Sequence, residues 1–467
     1  MMSDLILVVP ELILVGMSLV LLLAARRIQG TRVAAFGTVL AAVAAVLGSS
    51  WVLSLGAKTG FGGIITLDNY TQFFNVLIAA TLALATLLSV KSLEGIPRAE
   101  YHALLLLAAT GMMIAVSAFD LLVLYLGLEL MTLCSYILVG IRVDNPTSNE
   151  AALKYFLLGS FASALLIYGI SLTYGVTGTT SFATIASTLS GHEAGSNVLL
   201  LVAMGLVAAG LAFKIAAVPL HSWAPDAYQG ASAPIAAFLA AGSKAVGLAA
   251  LGRVCLAAYH SEAQALSVVL TGLAGLSIIV GSVIALSQTD MKRMLAYSSI
   301  SHAGYALLGL IAGTSEGVSA MMTYVFFYVF MTLGTFGIVV ALGDRGESVE
   351  GYRGLAAQRP GTAMLMLVFL MSLTGIPPTA GFAAKFVVIL SVVRGGHIGL
   401  AILAVACSVV SAFFYMRVAV NMYMNDAQEP APSHFPKAVF AALAVAALVT
   451  LIGGITPGSL ALWAVSP

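Results

Sequence analysis

Stretches of about twenty mostly apolar residues recur along the chain, separated by short segments where charge, Gly and Pro gather. That is the length an α-helix needs to cross roughly 30 Å of hydrocarbon at about 1.5 Å per residue. The pattern therefore predicts an all-α polytopic membrane protein. Fourteen spans are expected, near residues 5–25, 33–53, 73–90, 103–118, 121–141, 151–174, 198–218, 235–258, 266–286, 294–312, 318–342, 363–393, 400–423 and 438–462. The first is followed, not preceded, by Arg26, Arg27 and Arg32, and no small-residue cleavage site closes it, so it reads as a transmembrane helix rather than a secretory signal.

Two spans are interrupted. After Lys214 comes Ile-Ala-Ala-Val-Pro219-Leu-His221-Ser-Trp223-Ala-Pro225, where Pro219 should break the helix, which resumes near Asp226. The apolar run at 363–393 contains Gly375-Ile-Pro377-Pro378-Thr-Ala-Gly381, which splits it into two half-helices. Backbone groups freed at membrane depth need protein or water partners, so each break should line an internal cavity. One interrupted helix in each half of a chain is the pattern of a transporter with inverted repeats and sites near the midplane.

Composition narrows the class further. A 467-residue chain that is 60% hydrophobic and 8% charged is neither a soluble enzyme nor a secreted domain. A net charge of +1 offers no basic field for nucleic acid, and 46 Gly fit closely packed helices. Cys134, Cys255 and Cys407 are an odd set, far apart and each in an apolar run, so no disulfide framework, metal site or redox-cofactor set is expected.

Lys and Arg alternate between the two sides as fourteen crossings require. Arg26, Arg27, Arg32, Lys91, Arg98, Arg142, Lys154, Lys292, Arg293, Arg345, Arg353, Arg359, Arg417 and Lys437 share the expected cytoplasmic side. Only Lys58, Arg253 and Arg394 fall opposite, and both termini are expected outside.

Lys214, Lys244 and Lys385 remain within the membrane, with Glu129. Each such group costs about 2.5–3.5 kcal/mol on insertion scales before any pairing. Glu129 comes about eight residues into its span and Lys244 about nine, so at about 1.5 Å per residue both lie near the midplane, as does Lys385. Lys214 stands five residues before Pro219, beside the first break, and is the natural partner for Glu129. Structural ion pairs or snorkelling account for one such residue more easily than for four in a layer. A row of protonatable groups joined by water is the reading favoured.

Between the halves, Asp290-Met-Lys292-Arg-Met-Leu-Ala-Tyr297-Ser-Ser-Ile-Ser301-His302-Ala-Gly304-Tyr305 makes a polar ridge on an apolar helix. His302 is either a proton relay or a satisfied core histidine. Lys292 is either a gate or a positive-inside anchor, and Lys154, near the end of its span, an anchor or a relay. His221 and Asp226 are candidates for capping the half-helices.

These residues resemble the antiporter-like membrane subunits of respiratory complex I, the proton-translocating NADH:quinone oxidoreductase, over nearly the entire chain. The carriers are Gly127-Leu-Glu129-Leu, the run from Ala212-Phe-Lys214 through His221-Ser-Trp223-Ala-Pro225-Asp226-Ala-Tyr228, Ala231-Ser232-Ala-Pro234 before Lys244, and Tyr297-Ser-Ser-Ile-Ser301-His302. Within that family, Gly375-Ile-Pro377-Pro378-Thr-Ala-Gly381-Phe-Ala-Ala-Lys385 is similar to subunit N, since subunit M usually has a glutamate there and subunit L normally carries a long lateral helix and further spans.

The resemblance implies three N-terminal helices in residues 1–100, two inverted five-helix repeats in 101–260 and 264–425, and a last helix in 436–467. It implies Glu129 and Lys214 as a coupled pair, Lys244 as central relay and Lys385 as the terminal group. The Ala- and Gly-rich composition suggests a bacterial plasma membrane, and the resemblance implies as partners subunit M, small K-, J- and A-type subunits and a peripheral arm. No cofactor is expected in this chain, since a nucleotide-binding glycine fingerprint and iron–sulfur ligands are missing from it. NADH, FMN, iron–sulfur clusters and quinone belong to the partner subunits. The competing expectation is an Mrp-type cation/proton antiporter subunit, related in fold and also rich in buried lysine.

Overall fold

The computed structural model describes residues 2–26, 31–56, 58–90, 96, 98–190, 195, 197–427, 430, 432 and 436–455. Arg27 and Lys91 of the charge pattern and residues 456–462 of the last expected span lie outside these. The described chain is helical apart from one small hairpin. Helices α1 (Ile6–Leu23) and α2 (Thr31–Ser54) precede β1 (Lys58–Gly60) and β2 (Ile65–Leu67), which pair antiparallel with Thr59 opposite Thr66. There follow α3 (Asn69–Ser89), α4 (Arg98–Ser117), α5 (Leu121–Val139), α6 (Pro146–Thr177), the short α7 (Phe182–Leu189), α8 (Val198–Lys214), α9 (Trp223–Gly230) and α10 (Ala233–Ala258). The chain continues through α11 (Ala263–Ala285), α12 (Met291–Ile311), α13 (Ser315–Leu342), α14 (Pro360–Thr374), α15 (Ala380–Arg394), α16 (Ile398–Met424) and α17 (Lys437–Ile455).

Among the described residues, 12 helices are long and apolar enough to cross a membrane. The two segments expected to be interrupted are the pairs α8/α9 and α14/α15, each shorter than a full crossing on its own. The Val218–Pro219 and Pro377–Pro378 bonds in the two breaks are both cis. The chain resumes at Trp223, three residues sooner than the expected Asp226.

Local chemistry sets the helix starts. Asp68, Asp120 and Asp290 cap α3, α5 and α12 by accepting from backbone N–H groups of the first turn, at 2.8 Å for Thr71, Leu122 and Arg293. Asn145 does the same for α6, where Pro146 takes the first helical position. Side-chain size sets the closest packing. A Cβ on Gly111 of α4 would lie 2.5 Å from the Met131 nitrogen of α5, so the two backbones touch where a side chain would hold them apart.

Helices α10, α12 and α13 are buried on nearly every face and form the centre, which suits helices without a polar side. The outer helices α1, α2, α6, α11, α16 and α17 expose Leu, Val, Ile and Phe, as a lipid-facing ring does. The hairpin marks one end of the bundle, where Phe119 N–H donates to Ile64 C=O at 2.8 Å. The opposite end carries Arg142, Lys154, Arg293, Arg345 and Arg359, and for convenience these are the hairpin end and the basic end.

The central helix α10 is not uniform. Residues Leu239–Ser243 and Val254–Ala258 adopt π geometry, flanking an α segment from Lys244 to Arg253. Arg253, expected on the outer side within the span at 235–258, is a helical residue toward the hairpin end and is buried. Its carboxylate partner, Asp68, is far away in sequence, and a hydropathy reading of residues 235–258 cannot register it.

Candidate functional site

The last residue of α8 is Lys214, so the helix delivers its side chain at the point where the backbone turns away. The side chain is 2% exposed, and its Nζ donates to Glu129 Oε1 at 3.0 Å and to Thr132 Oγ1 at 2.8 Å. Glu129 and Thr132 stand one turn apart on α5 and so present neighbouring oxygens. Ser163 of α6 donates to the same Glu129 oxygen at 2.5 Å. The break itself is held by side chains: Trp223 Nε1 donates to Phe213 C=O at 3.0 Å, the Trp223 ring stacks on Tyr155 at 4.3 Å, and Ser277 Oγ accepts from Val218 N–H at 2.9 Å. Backbone groups freed by the break thus find protein partners, as burial demands.

Lys244 follows directly on the first π segment, fully buried, and Nζ donates to Ser299 Oγ of α12 at 2.7 Å. Its neighbour Ser243 donates to the Lys214 carbonyl at 3.4 Å, which brings the two lysine-bearing backbones together. Beyond Ser299, and beside it, lie the buried hydroxyls of Tyr228 and Tyr328. Next comes His302, one turn along α12 from Ser299. Its Nδ1 pairs with Tyr324 Oη at 2.6 Å and its Nε2 with Tyr415 Oη at 3.2 Å, while Tyr415 also meets Ser298 Oγ. Lys244 and Lys385 are both close enough to act electrostatically on His302.

Lys385 closes the row. Its Nζ donates to Thr374 C=O at 2.8 Å and Ser408 Oγ at 2.9 Å, and stands 4.7 Å from the centre of the Tyr305 ring, within cation–π range. Thr374 ends α14, so the second break offers its free carbonyl to this lysine. A cavity of about 430 Å³ lined by Gly375, Ile376, Phe382, Phe386 and Val409 opens beside the Lys385 side chain. Gly375 has φ +89°, and a Cβ there would lie 2.9 Å from Lys385 Cδ, so both conformation and space ask for glycine.

The remaining sequence candidates sit at the basic end. Lys292 is buried, donating to Glu347 at 2.7 Å and to the Ala231 carbonyl at 3.2 Å. Lys154, 47% exposed, pairs with Glu150 at 2.7 Å and Asp226 at 3.2 Å, and Arg293 meets Asp226 at 2.6 Å. Asp226 thus caps no half-helix: it lies in the first turn of α9 and bridges two cations. Both cations donate to its carboxylate, Arg293 to Oδ1 and Lys154 to Oδ2. His221 is no cap either, since Ser222 precedes α9 and the His221 ring contacts the Pro219 carbonyl at 3.3 Å.

Sequence reasoning passed over the tyrosines. Tyr324 and Tyr328, one turn apart in α13, look like apolar filling until His302 is seen against them. Ionisable groups in the membrane also exceed the four expected. Glu11 of α1 is buried with Oε2 unpartnered among the described residues, and His102 of α4 is buried with neither ring nitrogen paired. Glu11 lies in the N-terminal helices and His102 in α4, the helix that packs on α5. Among the described residues no three His, Cys, Asp or Glu side chains gather as a metal site would require.

Residues 118–411 match the family model described as NADH:quinone oxidoreductase/Mrp antiporter, TM. The chain is 42% identical to NADH-quinone oxidoreductase subunit N of Desulfovibrio desulfuricans, covering 99% of this chain and 96% of the relative. It is 42% identical to NADH-quinone oxidoreductase subunit N 2 of Rhizobium meliloti, covering 96% and 94%. A chain of respiratory complex I from Thermus thermophilus with bound Aureothin superposes with a TM-score of 0.84 at 32% identity, covering 97% of this chain and 98% of that one. A chain of the Mrp complex from Dietzia also reaches 0.84, at 22% identity with 98% and 96% covered, a likeness of fold alone. With relatives this similar over almost its whole length, the chain belongs to the NADH-quinone oxidoreductase subunit N family of complex I antiporter-like membrane subunits.

Proposed function

We propose that protons travel sideways along the buried row, from the Glu129–Lys214 pair through Lys244 and His302 to Lys385. As a family member the chain is a proton-translocating membrane-arm subunit of NADH:quinone oxidoreductase. The observation that supports the route is the alternation of amines with groups that both donate and accept: Ser299 at Lys244, the Tyr324 and Tyr415 hydroxyls at His302, and Ser408 at Lys385. Such groups pass a proton on by exchanging the two roles, and water completes the gaps.

The Glu129–Lys214 pair is the point at which charge is exchanged with the rest of the complex. Quinone reduction elsewhere moves charge along the membrane arm and changes how Glu129 is paired. A lysine in low dielectric is sensitive to such a change, because each unit of pKa is about 1.4 kcal/mol. Lys244 then acts as relay and Lys385 as the group from which the proton leaves. Lys292 and Lys154 hold the basic end in place through their ion pairs.

In this reading each broken pair is one crossing, which makes fourteen, with α4–α10 and α11–α16 as inverted repeats around the two breaks. The basic end faces the cytoplasm of a bacterial plasma membrane and both termini face outward. Subunit M and the small K-, J- and A-type subunits are the neighbours within the membrane. NADH, FMN, iron–sulfur clusters and quinone are held by partner subunits.

An Mrp-type cation/proton antiporter role remains the second reading, supported by the shared fold. The full-length relatives at 42% identity favour complex I over the 22% likeness to an Mrp chain. The deciding experiment is reconstitution of the whole complex in vesicles with Lys244→Met. Proton uptake driven by NADH oxidation is expected to be lost. Normal uptake would remove the row from the mechanism, and sodium-dependent proton flux without NADH oxidation would favour the second reading.

A further inference from the structure

We propose that the Arg253–Asp68 pair is a plug that closes the hairpin end of the bundle above Lys244, so that a proton reaching Lys244 moves on toward Lys385 and not straight out of the membrane. This rests on the reading that Lys244 carries protons.

Lys244 and Arg253 belong to one α segment of α10, and nine residues at about 1.5 Å each put Arg253 some 13.5 Å nearer the hairpin end. The guanidinium is 2% exposed and closely held. Nη1 donates to Asp68 Oδ2 at 2.5 Å and Nη2 to Asp68 Oδ1 at 3.0 Å, a two-pronged grip. Nη2 also meets Thr71 Oγ1 at 2.7 Å and the Val116 carbonyl at 3.5 Å. The Tyr70 ring lies 4.6 Å and the Phe119 ring 5.8 Å from the guanidinium carbon. One turn closer to Lys244, Tyr70 Oη donates to the Ala249 carbonyl at 2.8 Å, and a Cβ on Gly252 would come within 2.8 Å of the same hydroxyl, so the packing leaves no gap there. The starts of α3 and α5 and the end of α4 are thereby tied to α10 at one level.

The chemistry of the plug is the reverse of that of the row. Guanidinium has no acceptor lone pair and keeps its proton at any accessible pH. Asp68 is pushed up by burial, but the Arg253 hydrogen bonds and charge, together with Thr71, hold it below the ordinary carboxylate value, so it too stays in one charge state. Neither partner accepts a proton in passing. The two ends of the pair differ in exposure: Asp68 is 23% exposed and Arg253 2%, so the cation is the end buried in the bundle. A fixed cation facing a proton route is a barrier to hydronium, as it is in pores that exclude cations.

The test uses the whole complex in vesicles carrying Arg253→Met with Asp68→Asn, which removes both charges together, and separately Arg253→Lys. Passive proton leak is read from the decay of a pH step, and coupling from the stimulation of NADH oxidation by an uncoupler. The double variant is expected to leak several-fold faster and to lose most of the uncoupler stimulation while still oxidising NADH. Arg253→Lys, which keeps the charge but can give up its proton, is expected to leak to an intermediate degree. Adding Lys244→Met to the double variant is expected to abolish the leak. Should the double variant fail to assemble, Asp68→Asn alone, which loosens the guanidinium, is expected to raise the leak. An assembled double variant, or in its place Asp68→Asn, with wild-type tightness overturns the plug even where Lys244→Met blocks pumping. Normal pumping in Lys244→Met alone overturns the underlying route instead.

Discussion

Lys214 Nζ lies 3.0 Å from Glu129 Oε1, and among the described residues this is the one ion pair that gives a lysine of the buried row a carboxylate partner. Lys244 and Lys385 are held by hydroxyls, a backbone carbonyl and an aromatic ring instead. The row is therefore charged unequally along its length, with its compensating anion at one end. Glu129→Gln keeps the shape and removes that anion. Stripping a buried charge of its partner costs about 3–5 kcal/mol, and NADH-driven proton uptake by the assembled complex is expected to fall at least about tenfold. Uptake at the wild-type rate in an intact complex would show that the pair has no part in coupling.

At the other end, Lys385 separates a proton carrier from a fixed charge. Arginine at this position keeps the cation but does not release its proton. Lys385→Arg is expected to stall pumping as completely as Lys385→Met. Recovery of pumping with arginine would mean that only the charge matters there.

Gly375 supports that lysine from the second break. With φ +89° and a would-be Cβ 2.9 Å from Lys385 Cδ, Gly375→Ala meets backbone strain and a steric clash together. A loss of about 1–2 kcal/mol is expected, seen as a lower melting temperature of the purified complex and weaker pumping. Wild-type values for both would show that the break is pliable.

His302 bridges two tyrosines, so its two nitrogens are both engaged. His302→Leu is expected to slow proton uptake while leaving Glu129–Lys214 and complex assembly intact. The Tyr324→Phe and Tyr415→Phe pair, which removes both hydroxyl partners, is expected to do the same. Full uptake in both would confine His302 to packing.

At the basic end, Asp226 holds Lys154 and Arg293 together. The carboxylate is partly exposed, which limits the contribution of its ion pairs to about 1 kcal/mol. Asp226→Asn is expected to lower the melting temperature of the purified complex slightly, and an unchanged value would show that the cluster is merely solvated.

How much of this was legible in the sequence depends on how local each cause is. The breaks at Pro219 and Pro377–Pro378 were visible because a missing N–H acts within one turn. The Glu129–Lys214 pairing was visible because charges at membrane depth must find partners. The Arg253–Asp68 pairing was not legible because the partners are 185 positions apart, and hydropathy counts one window at a time. The hairpin escaped because its strands are three residues each. Glu11 and His102 were overlooked since one polar residue scarcely changes the mean of an apolar run. The tyrosines around His302 were hidden in another way, being residues whose polar tip matters only once a neighbour is known.

The π turn ahead of Lys244 has a mechanical corollary. It is a loop of helix with one residue too many, and a residue on its far side points about 100° away from where an unbroken α-helix would aim it. Deleting a single residue between Leu239 and Ser243 would unwind that surplus and swing the Lys244 amine off Ser299, without altering any side chain of the proposed proton row. The aim of this lysine is thus written in backbone winding, where a comparison of side chains alone would overlook it.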